Sequence, residues 1–211
     1  MNEKIQSESM AAAFGARNVE ELESQYAKWA AGYDAENAAA GFRLPALATG
    51  LVARYVPVSG EPILDAGCGT GLAGDNLRIL GYRNLVGIDL SEPMLALAKR
   101  RGIYSSLHRM VLGEPLDFGD DTFIATVASG VFTEGHAPHS SFDELIRITK
   151  AGGHLIFTVR DDIYEKHGFR EKQESLEAAR RWKLIERSER FRSFTIKEPN
   201  IFARLFVYEV L

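Results

Sequence analysis

Leu64-Asp65-Ala66-Gly67-Cys68-Gly69-Thr70-Gly71 carries three glycines at alternate positions behind an acid, and Asp89 follows eighteen residues after the last of them. An apolar lead-in, Ile63 and Leu64, runs into three alternating glycines and then into Leu72, Ala73, Leu77 and Leu80 at helical spacing. That order reads as strand, tight turn, helix. Leu85-Val86-Gly87-Ile88-Asp89 adds an apolar strand ending on an acid, where nucleotide-binding folds place a carboxylate for ribose hydroxyls. The two halves make one βαβ nucleotide-binding unit.

Downstream, Ser91-Glu92-Pro93-Met94 opens a helix with a capping serine and an early proline, running to Arg101-Gly102. Leu107 to Leu112 reads as a strand, Gly113-Glu114-Pro115 as a turn, and the apolar run Phe123 to Ser129 as a strand buried on both faces. A helix over Ser140 to Ile148 stops at Lys150-Ala151-Gly152-Gly153, and His154 to Arg160 is the next buried strand. An amphipathic helix from Gly168 to Trp182, an exposed strand over Leu184 to Phe191 and a last strand over Ala203 to Val210 complete the chain. Upstream, residues 1–20 show no sustained period and are expected to be loose. Glu20 to Tyr33 reads as one helix whose Leu22, Tyr26, Trp29 and Tyr33 share an aromatic face, and Leu47 to Val56 as another. Strands and helices alternate, which predicts a doubly wound α/β sandwich. Residues 1–57 form an N-terminal helical segment of the same domain, and 58–211 the nucleotide-binding part.

The chain has 211 residues, 45% of them apolar and 26% charged, values of a globular domain able to bury a core. Its net charge of −4 gives no general attraction to nucleic acid or to an anionic membrane. The basic run from Arg180 to Arg192 is interleaved with Glu186 and Glu189, as on a solvated surface. The one cysteine, Cys68, excludes an internal disulfide, and without a Cys/His cluster no metal site is expected. Met1 to Glu8 lacks the order of a secretory signal, and no apolar run is long enough to span a bilayer. A cytoplasmic protein is expected; its oligomeric state is not encoded in any pattern found.

Gly69-Thr70-Gly71-Leu72-Ala73-Gly74 matches the dinucleotide fingerprint G-x-G-x-x-G letter for letter, so an NAD(P)-dependent oxidoreductase is one reading. Asp65 opposes it. A carboxylate two residues before the first glycine would repel a pyrophosphate held by the loop. A ligand with an ammonium and a sulfonium, no phosphate, and a ribose for Asp89 suits the same residues, and S-adenosyl-L-methionine is such a ligand.

Asp65-Ala66-Gly67-Cys68-Gly69-Thr70-Gly71, with Gly87-Ile88-Asp89-Leu90-Ser91 and Met94, resembles motifs I and II of the class I S-adenosylmethionine-dependent methyltransferases. Lys150-Ala151-Gly152-Gly153 resembles their turn into the fifth strand, and the resemblance covers nearly the whole chain. Tyr26 to Asp34, Phe42-Arg43-Leu44-Pro45 and Gly113-Glu114-Pro115-Leu116 resemble, more narrowly, the Williams–Beuren-region methyltransferase-like group. The resemblance implies a Rossmann-like seven-stranded sheet of order 3-2-1-4-5-7-6 with strand 7 antiparallel, helices on both faces and an N-terminal helical lid. It implies S-adenosyl-L-methionine as cofactor and S-adenosyl-L-homocysteine as product. Asp65, Gly67 and Gly69 would then face the methionine end, Asp89 the ribose, and Leu90 and Met94 the adenine. Many relatives carry an acid at the end of the third strand, where this chain has Leu112-Gly113; backbone groups near Gly113 and Glu114 would substitute. Ser129 would approach the methionine moiety, Tyr26 and Tyr33 would lid the cofactor, and Arg43 would pair with its carboxylate.

A sulfonium methyl is already activated, so alignment can lower the barrier by roughly 7–11 kcal/mol without a catalytic side chain. Candidates for a base are Glu134, His136 and His139, in the loop after the fourth strand. Asp161, Asp162 and Tyr164 would line the same rim. Cys68 reads as a small residue that lets the turn close. The expected partner is a small-molecule methyl acceptor; a non-catalytic S-adenosylmethionine-binding protein is the remaining alternative.

Overall fold

The computed structural model describes residues 7–60 and 62–211. Four helices come first: α1 (Glu8–Phe14), α2 (Val19–Trp29), α3 (Tyr33–Ala40) and α4 (Leu44–Tyr55). The alternating part follows as β1 (Ile63–Ala66), α5 (Leu72–Ile79), β2 (Leu85–Asp89), α6 (Glu92–Arg101), β3 (Ser106–Arg109), β4 (Phe123–Phe132), α7 (Ser141–Ile148) and β5 (Thr149–Arg160). α8 (Asp161–Tyr164), α9 (Phe169–Ala178), β6 (Trp182–Arg187), β7 (Phe191–Arg192) and β8 (Phe202–Val210) end the chain.

The strands form one sheet of order β3-β2-β1-β4-β5-β8-β6, with the two-residue β7 paired to β8. β3, β2, β1, β4 and β5 run parallel, and β8 is antiparallel to both β5 and β6. This is the expected order, the small β7 having shifted the numbering of the last strand. Successive strand residues feed opposite cores. Leu64, Leu155, Phe157 and Phe206 enter an aromatic layer under α7 and α9, while Ile63, Ile156, Leu205 and Val207 pack with Ala48 and Val52 of α4 and Leu77 of α5. A third cluster joins Met10 and Ala13 of α1 to Trp29, Ala40 and Phe194.

Several boundaries depart from the sequence reading. The start of the chain is not loose over its described part: Ser7 accepts the Met10 amide at 3.2 Å and caps α1, whose Met10 and Ala13 are buried. The first six residues lie outside the described ones. The single helix over Glu20 to Tyr33 is two helices, because the chain turns at Ala30-Ala31-Gly32 and Tyr33 restarts it, with its ring edge-on to Trp29 at 4.7 Å. The helix over Gly168 to Trp182 ends at Ala178, and Trp182 begins β6, stacked on Tyr208 at 4.0 Å. The strand over Leu184 to Phe191 is broken between β6 and β7. The strand expected to reach Leu112 stops at Arg109, which frees residues 110–112 to turn over the ends of the parallel strands.

Candidate functional site

A cavity of about 290 Å³ lies over the carboxyl ends of β1, β2 and β4, at the point where the strand order reverses. Of the residues expected at a cofactor, Tyr26, Tyr33, Gly67, Gly69, Asp89, Leu90, Met94, Gly113, Glu114 and Ser129 all line it. Arg43, Asp65, Glu134, His139, Asp161, Asp162 and Tyr164, also expected at the site, do not. Arg43 is exposed at the start of α4, and among the described residues its side chain reaches only its neighbour's carbonyl, the Phe42 oxygen at 3.4 Å. His139 packs edge-on against Phe169 at 5.9 Å, turned toward α9. Asp65 sits in an adjoining cleft of about 30 Å³ that shares Tyr33, Gly67, Gly69 and Ser129 with the cavity.

The glycine loop is drawn against β2 by backbone bonds: the Gly67 and Cys68 amides donate to the Ile88 carbonyl at 2.8 and 2.9 Å. Gly69 has a φ of +53°, and a side chain there would project into open space within the cavity. Its glycine serves both the left-handed backbone and close approach by a ligand. Asp89 joins the loop to the next helix: Oδ2 accepts the Gly69 amide at 2.8 Å and Oδ1 the Ser91 amide at 2.9 Å. Ser91 therefore stands at the cap position of α6 as expected, but the cap bond comes from Asp89, and the Ser91 hydroxyl makes no side-chain cap bond. Burial raises the Asp89 pKa while these amides hold it down.

Asp65 is 1% exposed. Burial pushes its carboxyl up to about 7, opposed by the Tyr104 hydroxyl, which donates to Oδ2 at 2.6 Å. The Tyr104 ring fills a slot that glycines leave open. A Cβ on Gly74 would meet the Tyr104 hydroxyl at 2.3 Å, and one on Gly87 or Gly71 would approach the ring edge at 3.1 or 3.2 Å. The third glycine of the apparent dinucleotide fingerprint thus makes room for a phenol that holds Asp65.

The roof of the cavity is the N-terminal segment, tied to the rest of the fold by several contacts, the pair of Glu23 on α2 with Arg109 of β3 among them. Tyr26 of α2 and Nε2 of His136, in the loop after β4, lie 2.7 Å apart. His136 Nδ1 lies 2.6 Å from the Glu134 carbonyl, which only accepts, so Nε2 is the free acceptor and the Tyr26 hydroxyl donates to it. Burial pushes the His136 imidazole down to about 4, with Arg160 adding repulsion, and the ring is neutral at pH 7. On the other side Asp34 of α3 accepts the Thr70 hydroxyl at 2.6 Å and pairs with Arg101, which also pairs with Asp75 and donates to the Thr70 carbonyl. Glu134 lies near Arg160 and His167, and Asp161 pairs with Arg204 and Arg190. Asp162 pairs with Arg160, while Tyr164 is buried against Phe206. Cys68 is buried, and its thiol is pushed up by desolvation.

Sequence reasoning missed the apolar wall of Met110, Val111 and Leu112, and Val19, Val131 and Pro138 with it. It also missed Tyr104. Residues 110–112 carried a signal, but an apolar run is read first as a strand. Two carboxylates, Asp89 and Glu114, line the cavity, and no lysine or arginine does among the described residues. No group of three or more metal-ligating side chains occurs among them either. Such a lining favours a cationic ligand and disfavours a pyrophosphate.

Comparison with known proteins extends this geometry. A family model described as a methyltransferase domain matches residues 64–157. Human methyltransferase-like protein 27 is 35% identical over 165 residues, 74% of this chain and 66% of that protein. A demethylmenaquinone methyltransferase of Clavibacter sepedonicus is 35% identical over 102 residues, 47% of this chain and 41% of its own. The chain thus spans about two thirds of the first relative and under half of the second. Among solved structures, a TehB-like S-adenosylmethionine-dependent methyltransferase from Corynebacterium glutamicum superposes with a TM-score of 0.63 at 18% identity, covering 89% of this chain and 99% of that one. At that identity the likeness is one of fold.

Proposed function

The chain belongs to the class I S-adenosylmethionine-dependent methyltransferases, and we propose that it moves a methyl group from S-adenosyl-L-methionine to an O, N or S nucleophile of a small-molecule acceptor. The observation that carries this reading is the cavity lining: carboxylates and apolar side chains without a lysine or arginine, over the glycine loop. When bound, the cofactor supplies a methyl group already activated on a sulfonium, and S-adenosyl-L-homocysteine remains after its transfer.

Asp89 is the ribose residue in this reading, its carboxylate held at the cavity wall by the Gly69 and Ser91 amides. Leu90 and Met94 flank the adenine, with Met110 beside them and the Gly113–Glu114 backbone at its edge. Gly67, Gly69 and Ser129 face the methionine end, and Asp65 meets its ammonium from the adjoining cleft. An ammonium placed there favours the ionised carboxylate, so binding draws a proton from Asp65 near pH 7. Tyr26 and Tyr33 roof the site and exclude water, with α1 to α3 as the lid. His136, neutral and engaged as an acceptor, positions Tyr26 and is a poor base at pH 7. The chain's contribution to the step is then alignment of the nucleophile with the methyl carbon, and the nucleophile's proton leaves to solvent.

The nicotinamide reading is disfavoured because the fingerprint's third glycine houses Tyr104 and two carboxylates line the cavity. A cytoplasmic setting fits this function; no helix among the described residues is long and apolar enough to cross a membrane. Incubation of a metabolite extract with methyl-labelled cofactor tests the activity. A labelled product formed only with the protein is expected; tight cofactor binding with no labelled product from any extract leaves a cofactor-binding protein without transferase activity.

A further inference from the structure

We propose that a second, aromatic-walled cleft beside the cofactor cavity receives the methyl acceptor, and that the acceptor is a planar aromatic molecule with an uncharged hydrogen-bonding oxygen at its inner end. The inference rests on the methyl-transfer reading and names the substrate class of that same site.

The cleft lies between the N-terminal helices and the sheet, and Tyr26, Tyr33 and Gly130 are common to it and the cofactor cavity. Gly130 stands where the two linings meet, and a Cβ there would come within 3.3 Å of Phe42 Cζ, so the glycine keeps the junction clear of a side chain. The walls are rings. Phe42 and Phe194 stack at 5.1 Å, and Trp29 meets Tyr33 edge-on at 4.7 Å, with Phe14 opposite on α1. Ring faces and edges arranged in this way complement another flat ring better than a puckered one.

Three polar atoms of the lining residues, Trp29 Nε1, Thr133 Oγ1 and Ser193 Oγ, are buried without a hydrogen-bond partner among the described residues. Trp29 is 5% and Ser193 2% exposed. Buried polar groups are nearly always partnered, so three orphans in one cleft mark a place where something outside the chain bonds. The indole N–H only donates, so that molecule presents an acceptor atom; the two hydroxyls give or take. Arg160 also lines the cleft, but Asp162 holds it through two bonds of 2.6 and 2.7 Å and Glu134 stands at 3.6 Å. Its charge is already compensated, which removes the need for an acidic ligand. The cleft measures about 40 Å³, room for the polar end of a molecule or for a few waters. Seating a whole ring there requires Phe14 and Met10, which line the cleft from the seven-residue α1, to move outward.

Calorimetric titration of 2,6-dihydroxynaphthalene into the whole chain saturated with S-adenosyl-L-homocysteine tests the assignment, with trans-1,4-cyclohexanediol as the puckered control. The naphthalene diol is expected to bind and the cyclohexane diol not to bind. Trp29→Phe and Ser193→Ala should each weaken the naphthalene diol about tenfold, the loss of one buried bond, while keeping the affinity for S-adenosyl-L-homocysteine within about twofold. Unchanged affinity in both variants overturns the assignment. So does absence of binding by the naphthalene diol to protein that binds S-adenosyl-L-homocysteine, which would give the orphan groups to buried water only. Failure of S-adenosyl-L-homocysteine itself to bind is a separate result, and it overturns the methyl-transfer reading and the acceptor site with it.

Discussion

Tyr104 donates its hydroxyl to Oδ2 of Asp65 at 2.6 Å across a slot left open by Gly71, Gly74 and Gly87. The bond favours the charged carboxylate against the desolvation that disfavours it. Tyr104→Phe keeps the ring and deletes the bond, so the Asp65 pKa rises further. Affinity for S-adenosyl-L-methionine at pH 7 is expected to fall about 10- to 100-fold, the loss of a hydrogen bond to a charged group, and to recover part of that at pH 9. Calorimetry at the two pH values checks it; a loss equal at both assigns Tyr104 to packing alone.

Gly74→Ala separates the two readings of the glycine pattern. In a dinucleotide site this position tolerates alanine. Here a Cβ would meet Tyr104 at 2.3 Å and Ile103 at 2.9 Å, an overpacking expected to cost roughly 1–3 kcal/mol. Chemical denaturation should show that loss, and Tyr104→Ser in the same chain should relieve it. An alanine without effect on stability would show that the slot has slack.

Two buried groups make opposite contributions to stability over the same acid range. Asp65, pushed up to about 7, stays protonated in the folded chain while the unfolded carboxyl ionises at its ordinary value of 3.8. Its contribution is whole below about pH 4 and is lost as pH rises toward 7. His136, pushed down from 6.5 to about 4, contributes above about pH 6.5 and loses that as pH falls toward 4. Asp65→Asn should therefore gain stability relative to the parent as pH rises from 4 to 8. His136→Gln, which keeps an acceptor for Tyr26, should gain relative to the parent as pH falls from 7 to 4. Each change amounts to roughly 2–4 kcal/mol across its window. Urea titrations at pH 4, 5.5, 7 and 8 read both, and parallel pH profiles for parent and variants would contradict the assignment.

The parallel sheet and its order were legible because β1 and β2 combine local signals that agree: apolar runs, alternating glycines, and Asp89 at a fixed distance. The cavity wall was half legible. Asp89, Gly69 and Met94 stand in contiguous motifs, whereas Met110 to Leu112 looked like strand residues until the chain turned early at Arg109. Tyr104 left no trace in the pattern, since its reason is a slot formed by glycines from two separate segments, the start of α5 and β2. The break between α2 and α3 was hidden because Tyr33 continues the aromatic spacing of Tyr26 and Trp29 from the start of a new helix. His139 looked equivalent to His136 in one dimension, and only the packing of α9 separates them.

In the proposed function the carboxylate-lined cavity takes a cationic nucleoside through Asp89. Calorimetric titration of the purified chain with S-adenosyl-L-methionine, NAD and NADP tests it most directly. The sulfonium nucleoside is expected to bind, Asp89→Ala to lose that binding and Cys68→Ala to keep it, and neither dinucleotide to bind. Tight binding of NAD or NADP without binding of S-adenosyl-L-methionine would contradict it.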